Sequence, residues 1–266
     1  MKFGFIGCGN MGGALASAVA KSIEKSEVAV CDAFAEKALA FAKERGVTAT
    51  DTASIAQNAE YIFLGVKPQV FEDLFAEISP ILKKRTDSFV LVSMAAGISI
   101  AAVEKMADCA PAVIRIMPNT PVSVGAGVVL YSVNEKVGQA EIEAFCKALS
   151  AAGVVDPIPE DKIDAASALS GCGPAFVALF AEALADGAVE CGLPRDKAAL
   201  YAAQTILGSA QLILESGKHP GQIKDAVCSP GGTTIEGVHA LEKGKFRAAS
   251  MNAVTAAYEK TLKLKK

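Results

Sequence analysis

The sequence predicts an open, doubly wound α/β domain followed by an all-helical one, on three observations. Short β-type runs alternate with helical stretches through the first part of the chain, the pattern of parallel strands joined by crossovers. A glycine-rich turn, Gly7-Cys8-Gly9-Asn10-Met11-Gly12, separates the first such run from the first helical stretch. Beyond Pro159 the texture changes to long Ala- and Leu-rich helical stretches with no convincing strand. The boundary is expected there, with residues 1–159 as the first domain and 160–266 as the second.

The elements follow in order. Residues 2–6 read as a fully buried strand, 11–22 as a helix and 27–31 as a second strand. Residues 34–45 read as a helix stopped by Gly46, and 47–50 as a short third strand. Residues 61–66, 89–92 and 112–117 continue the series. A sheet wound in this way keeps its ligand crevice at the carboxyl ends of the strands. Three strand ends are therefore candidate site segments: Val66-Lys67-Pro68, Ala95-Ala96-Gly97 and Met117-Pro118-Asn119-Thr120-Pro121. In the second domain a helix is expected over 174–190, with Phe176, Leu179, Phe180, Ala183 and Leu184 at helical spacing and Gly192 as its stop. Another is expected over 196–216, stopped by Gly217. Helices this apolar cannot cover their faces alone, so the second domain is expected to bury surface against a second copy of itself.

Composition excludes several function classes. The 266 residues are 52% apolar and 21% charged, a globular chain with material for two cores. Lys and Arg total 26 against 29 for Asp and Glu, a formal net charge of −3, so no basic excess awaits a nucleic acid. The longest uncharged run, 116–134, is broken by Pro118, Asn119 and Pro121, and no membrane span is expected. Seven cysteines stand without C-x-x-C spacing, which disfavours zinc and a disulfide framework. With no targeting segment evident, the expected location is the cytoplasm.

The glycine turn is a G-x-G-x-x-G in the context that gives that pattern meaning, after a strand and at the opening of a helix. Gly7 permits the tight turn, Gly9 lets the backbone approach a pyrophosphate, and Gly12 lets the helix pack on the strand. Phosphates then meet free N–H groups at the positive helix end. Asp32 ends the second strand, 20 residues beyond Gly12. There a carboxylate accepts hydrogen bonds from a ribose 2′-hydroxyl and repels a 2′-phosphate, which favours NADH. The alternative is that Asp32 caps the helix that follows.

In the second domain the informative segment is Asp225 through Gly237. Thr233 and Glu236 have capping-box spacing, and with Thr233 as N-cap the N–H groups around Gly232, Thr233 and Thr234 point out of a helix end. Side-chain-free Gly231 and Gly232 then let a small carboxylate come close. Ser170-Gly171-Cys172-Gly173-Pro174 is a second small-residue turn before a helix. Cys172 has no evident partner base, since the only histidines are His219 and His239, which read as surface or capping groups. Glu182, Asp186 and Glu190 read as a solvated acidic face and not as metal ligands.

Together these residues resemble the pyrroline-5-carboxylate reductase family over essentially the whole chain. The resemblance rests on Phe5 through Gly12, Val66-Lys67-Pro68, Ala95-Ala96-Gly97, Met117 through Pro121 and, most specifically, Ser229-Pro230-Gly231-Gly232-Thr233-Thr234. It implies a Rossmann domain followed by a helical dimerisation domain, with homodimers often assembled into larger rings. It also implies that Gly7, Gly9, Asn10, Met11 and Gly12 hold the phosphates of NADPH or NADH. Val66, Lys67 and Pro68 would line the nucleotide site, and Ala95, Ala96, Gly97 and Asn119 would flank the nicotinamide. Ser229, Gly231, Gly232 and Thr233 would receive the substrate carboxylate, with Cys172 nearby and the Thr234 hydroxyl facing the ring nitrogen. Three residues depart from the family pattern. Asp32 stands where many members have a small hydroxyl or Asn, and argues for NADH against the family habit of NADPH; Cys172 replaces a Ser, and Phe176 a Tyr.

The implied chemistry, hydride addition to the imine carbon of a cyclic imino acid, needs neither a nucleophile nor a metal. It needs two rings held in contact and water kept out. Two rivals differ in kind. A β-hydroxy-acid dehydrogenase of similar layout relies on a helix-borne lysine, and Lys162 is the only basic residue between Pro159 and Arg195. A regulatory module sensing the NADH/NAD ratio would bind cofactor without consuming it.

Overall fold

The computed structural model describes residues 1–264, and the alternation read from the sequence becomes one eight-stranded sheet. From β1 (Phe3–Ile6) the chain runs through α1 (Asn10–Ser22), β2 (Val28–Cys31) and α2 (Ala35–Arg45) to the two-residue β3 (Thr48–Ala49). It then crosses through α3 (Thr52–Asn58) to β4 (Tyr61–Leu64) on the other side of β1. From there α4 (Phe71–Leu82), β5 (Val90–Ser93), α5 (Ile100–Ala107) and β6 (Ala112–Pro118) continue outward. The sheet closes with β7 (Gly127–Val133), α6 (Gln139–Ala148) and β8 (Gly153–Pro157). Strand order is β3-β2-β1-β4-β5-β6-β7-β8, parallel throughout except between β6 and β7. The winding reverses between β1 and β4, and this is where such sheets open a crevice.

Strands of a parallel sheet are covered on both faces, which is why β1, β2, β4 and β5 are buried at every residue. On one face Phe3 stacks on Tyr61 with centroids 4.9 Å apart, Phe5 on Phe63 at 4.3 Å, and Phe145 of α6 extends the stack. On the other, Ile62, Leu64 and Leu91 pack with Ile55, Phe71, Phe75 and Ile78 of α3 and α4. Gly4 has no side chain because a Cβ there would lie 2.5 Å from Ile55 Cγ2.

Two features lie outside the sequence reading. The strands β7 and β8 continue the sheet beyond the predicted series. The link from β6 to β7 is a short 3-10 turn, Thr120–Val124, too brief for a crossover, so β7 runs antiparallel. Among the described residues one helical stretch, Glu160–Glu190, is long and apolar enough to cross a membrane by length and composition alone, outside the uncharged run that the sequence reading weighed. That stretch is interrupted between α7 (Ile163–Ser170) and α8 (Gly173–Glu190), and α7 is fixed to the sheet by an ion pair between buried Asp164 and Arg115 of β6.

Contacts divide the chain into two units: residues 1–171 with the end of the last helix from Tyr258, and Cys172–Ala257. The first therefore takes in α7, beyond the expected boundary after Pro159. The second holds α8, α9 (Arg195–Ser216), α10 (Pro220–Val227), α11 (Thr233–Lys243) and most of α12 (Phe246–Leu264). The helix stops at Gly46, Gly192 and Gly217 fall where the sequence puts them. Here α8 and α9 pack through small residues, and Ala185, Ala198 and Ala202 are the only buried apolar side chains among this unit's described residues. Large ones stay outside, with Leu179 68% and Leu214 80% exposed, so the Leu179 row is not a core face within one chain.

Candidate active site

The nucleotide-side residues gather at the carboxyl edge of the sheet. Register pairs Ile6 with Leu64 and Leu64 with Ser93, so β1, β4 and β5 end level. The turn after β1 is shaped by close approach. Gly7 has φ +101°, and a Cβ on it would lie 2.8 Å from the Gly65 carbonyl; a Cβ on Gly12 would lie 2.1 Å from the Gly7 oxygen. Gly65, which the motif reading did not single out, completes this contact, because a Cβ there would sit 2.7 Å from the same oxygen. Its sequence signal is a glycine one residue past a buried strand. Gly9 differs, since its Cβ position has no protein atom within 4 Å. It is the N-cap of α1 and no side chain caps that helix, so the first-turn N–H groups of Asn10, Met11 and Gly12 face outward beside open space. A diphosphate fits that cradle by charge and by clearance.

Asp32, at the end of β2, is neither free nor the cap of α2, whose N-cap is Phe34. Its Oδ2 accepts from the Cys8 N–H at 2.8 Å, its Oδ1 from the Phe34 N–H at 3.2 Å, and Lys37 Nζ stands 3.6 Å away. Asp32 thus braces the glycine turn while its carboxylate stays at the rim. Beneath it, burial first and the Asp32 charge second push the Cys8 thiol up to about 12. Burial likewise pushes Cys31 up to about 11. Neither thiol is a nucleophile at neutral pH.

The other strand ends supply the rest of this edge. Val66 and Pro68 are half-buried, and exposed Lys67 caps the short turn Pro68–Val70. Ala95 is buried, while Ala96 and Gly97 are exposed. Asn119 is buried with its amide committed: Nδ2 donates to Ser170 O at 3.0 Å and Oδ1 accepts from Val128 N at 2.8 Å. Asn119 therefore fixes the end of α7 to the end of β6, and offers shape more than free hydrogen-bonding groups.

The carboxylate-side residues lie in the second unit. One reading is corrected here: Thr233 is the first helical residue of α11 and not its N-cap, which is Gly232, and no Thr233–Glu236 capping box forms. The box needs an extended Thr, but extended geometry falls one residue earlier, at Gly232 with φ −80° and ψ 168°. The Ser229 hydroxyl folds to within 2.4 Å of where a Gly232 Cβ would be, and Gly231 takes φ +66°. This α11 end too is left without a side-chain cap, so the N–H groups of Thr233 and Thr234 head an open helix terminus. A capping box does occur at His219, which accepts from Gly221 N while Gln222 returns to the His219 N–H. Cys172 is half-buried at the start of the second unit. Asp186 pairs with Arg195, and among the described residues no group of His, Cys, Asp or Glu is placed to hold a metal ion. Lys162 sits in the turn Glu160–Lys162, exposed and paired with Asp161, unlike a helix-borne proton donor.

Comparisons with known proteins agree with this layout. Residues 160–264 match the family model for pyrroline-5-carboxylate reductase dimerisation, and residues 2–97 match that for NADP oxidoreductase, coenzyme F420-dependent. The chain is 44% identical to pyrroline-5-carboxylate reductase 3 of Danio rerio, over 99% of this chain and 91% of that one. It is 40% identical to the pyrroline-5-carboxylate reductase of Escherichia coli, over 100% and 98%. Among solved structures, a pyrroline-5-carboxylate reductase from Coxiella burnetii superposes with a TM-score of 0.91 at 34% identity, covering 100% of this chain and 98% of that one. The Plasmodium falciparum pyrroline carboxylate reductase with NADP bound superposes at 0.87 and 33% identity, with the same coverage. On residues, fold and full-length similarity alike, this chain belongs to the pyrroline-5-carboxylate reductase family.

Proposed function

We propose that this chain reduces 1-pyrroline-5-carboxylate to L-proline, the last step of proline biosynthesis. The observation that carries the reading is the open glycine cradle at the uncapped end of α1, in a chain related over its full length to reductases of that name. When bound, NAD(P)H supplies the hydride, delivered to the imine carbon.

The chain's own residues bind, orient and exclude water. Gly7, Gly9 and Gly12, with the N–H groups of Asn10 and Met11, hold the diphosphate; Val66, Lys67 and Pro68 line the nucleotide. Ala95, Ala96 and Gly97 flank the nicotinamide, and Asn119 holds the end of β6 against it. The substrate carboxylate is received at the open end of α11 by Gly231, Gly232 and Thr233, with Ser229 closing the loop and Cys172 nearby. Thr234 hydrogen-bonds the ring nitrogen, as orienter or as relay for its proton. An iminium is already electrophilic, so placement of the two rings is the main contribution of the protein.

Asp32 favours NADH, because a 2′-phosphate would meet its carboxylate, although Lys37 at 3.6 Å softens that repulsion. The exposed leucines of the second unit are covered by a second copy of the chain, in a homodimer or a ring of dimers, and the apolarity of Glu160–Glu190 serves that contact and not a membrane. The substrate-binding and dimerisation domain is taken to start at residue 160, although the compact sheet unit extends to Gly171. The setting is the cytoplasm, and nucleic acid is not a partner.

The test follows the loss of absorbance at the nicotinamide band with pyrroline-5-carboxylate, using NADH and NADPH side by side on wild type, Asp32→Ser and Asp32→Asn. The expected result is faster oxidation of NADH by wild type and a shift toward NADPH in both variants. Wild-type preference for NADPH would reduce Asp32 to a brace for the glycine turn. Binding of cofactor without oxidation of either would leave a sensing module and end the reductase reading.

A further inference from the structure

The turn Glu160–Lys162 carries a carboxylate whose position the reaction above does not use. Glu160 Oε1 accepts two hydrogen bonds, from the Ile100 N–H at 2.8 Å and from Arg115 Nη1 at 3.0 Å. Arg115 is only 4% exposed, and its Nη2 reaches Asp164 Oδ1 at 3.2 Å. A buried guanidinium needs carboxylate partners, and Asp164, itself buried, already gives it one. The contact from Glu160 to Ile100 is of another kind. Ile100 opens α5, and the first N–H groups of a helix have no partner within it. Ser99 caps the Ala102 N–H locally, while the Ile100 N–H is met by a carboxylate from 60 residues away.

The two ends of this bridge define its role. On one side, α5 begins three residues after Gly97, and the intervening turn is closed by Ile98 N donating to Ala95 O. On the other, Arg115 lies in β6 four residues before Asn119, whose amide reaches Ser170 at the end of α7. Glu160 thus joins the turn at 95–97 to the strand that ends at Asn119.

We propose that Glu160 is a positioning residue for hydride transfer: held by Arg115, it fixes the amino end of α5 and so sets the 95–97 turn against the end of β6, where the nicotinamide ring is received. The proposal rests on the reading that these two segments flank the nicotinamide. Its chemistry is geometric. Hydride transfer is steep in donor–acceptor distance, and a misplacement of about 1 Å costs on the order of 100-fold. Cofactor affinity, set mostly at the glycine cradle on β1, is left alone.

Four variants of the full chain test it: Glu160→Ala, Glu160→Gln, Ile100→Pro and Ile100→Ala. Each is assayed with pyrroline-5-carboxylate and with cofactor carrying hydrogen or deuterium at the transferred position, and cofactor Kd is measured separately. Glu160→Ala is expected to lower kcat by about tenfold or more, to raise the deuterium isotope effect on kcat above wild type, and to leave cofactor Kd unchanged. Glu160→Gln keeps an oxygen for the Ile100 N–H and is expected to recover most of kcat. Ile100→Pro removes the donor instead, at a first helical position that accepts proline after an already extended Ser99; because it also takes away a buried side chain, it is read against Ile100→Ala, which keeps the N–H, and is expected to reproduce the loss beyond that control. It carries the test if Glu160→Ala does not fold. Ile100→Pro matching Ile100→Ala in kcat and isotope effect, or folded Glu160→Ala matching wild type in both, would overturn the proposal. So would a kcat loss matched by an equal loss of cofactor affinity, or one that Glu160→Gln fails to recover. Lack of turnover in wild type would remove the reductase reading and this proposal together, and is told apart by that control.

Discussion

Gly9 and Gly12 stand three residues apart in one motif, yet the structure assigns them different work, and alanine at each separates stability from cofactor binding. At Gly12 the added Cβ would lie 2.1 Å from the Gly7 carbonyl oxygen, where ordinary contact begins at 3.4 Å. The backbones must therefore part by about 3.4 − 2.1 = 1.3 Å, and Gly7, itself pressed against Gly65, has little room to give. Overpacking of this kind costs about 1–3 kcal/mol, partly offset by about 1 kcal/mol of helix propensity gained. The expected net loss is up to about 2 kcal/mol, which lowers Tm by roughly 2–4 °C per kcal/mol in a chain of this size. At Gly9 the added Cβ meets no protein atom, and φ −65° with ψ −171° suits alanine. A weaker N-cap is balanced by a less flexible unfolded chain, so stability should stay within about 1 kcal/mol of wild type. The methyl group instead occupies space meant for the diphosphate, and cofactor affinity should fall about tenfold or more. Thermal melts without cofactor give the first quantity, and titration followed by nicotinamide fluorescence gives the second. Wild-type cofactor affinity in Gly9→Ala would falsify the placement of the phosphates over this turn.

Other outcomes follow from the same geometry. Thr234→Ala should lower kcat by about 10–100-fold, the worth of one hydrogen bond to a charged group, with cofactor Kd unchanged; equal turnover at saturating substrate would remove Thr234 from the chemistry. Leu179→Asp and Leu214→Asp, at sites exposed in the single chain, should shift sedimentation toward monomer where a second copy covers them, and two unaltered profiles would place the contact elsewhere. Stability should fall as pH rises above about 9, because the native fold keeps Cys8 protonated to about 12 and Cys31 to about 11 while the thiols of the unfolded chain ionise near their ordinary value of 9.0. The unfolded state then binds fewer protons, with a limiting slope of about 1.4 kcal/mol per pH unit for each thiol. Urea unfolding between pH 8 and 11 measures this, and the slope should be shallower in Cys8→Ala.

What was legible in the sequence was whatever acts locally. The run FGFI before Gly7 and the period-3.6 stretches after Pro159 reveal strand and helix because each depends on near neighbours. The loop from Ser229 to Thr234 was legible for the same reason, although the helix began one residue early: a capping box and a bare glycine cap look alike until it is known which residue is extended. What was not legible depends on partners far along the chain. β7 and β8 carry apolar runs that become strands where an edge is offered, by β6 to β7 and by β7 to β8. In α8 the exposure of Leu179 and Leu184 follows the expectation that these helices cannot cover their own faces; only the contact of α8 with α9 through alanines was not legible.

Asp32 shows how the two kinds of information combine. Its place at the end of β2 is a local fact, and from it the sequence offered two roles, ribose acceptor or helix cap. The structure adds a third that no spacing rule contains: its carboxylate accepts the Cys8 N–H, 24 residues away, and so holds the glycine turn it was expected only to face. Any substitution at Asp32 therefore acts on two things, the charge that a 2′-phosphate meets and the rigidity of the diphosphate cradle. Asp32→Asn removes the first and keeps an acceptor for the second, whereas Asp32→Ser shortens the side chain and weakens both. If charge alone sets the choice of cofactor, the two variants should shift preference equally while only Asp32→Ser loses affinity for NADH and NADPH alike. If preference shifts only in Asp32→Ser, room for the 2′-phosphate and not its repulsion is what the carboxylate denies.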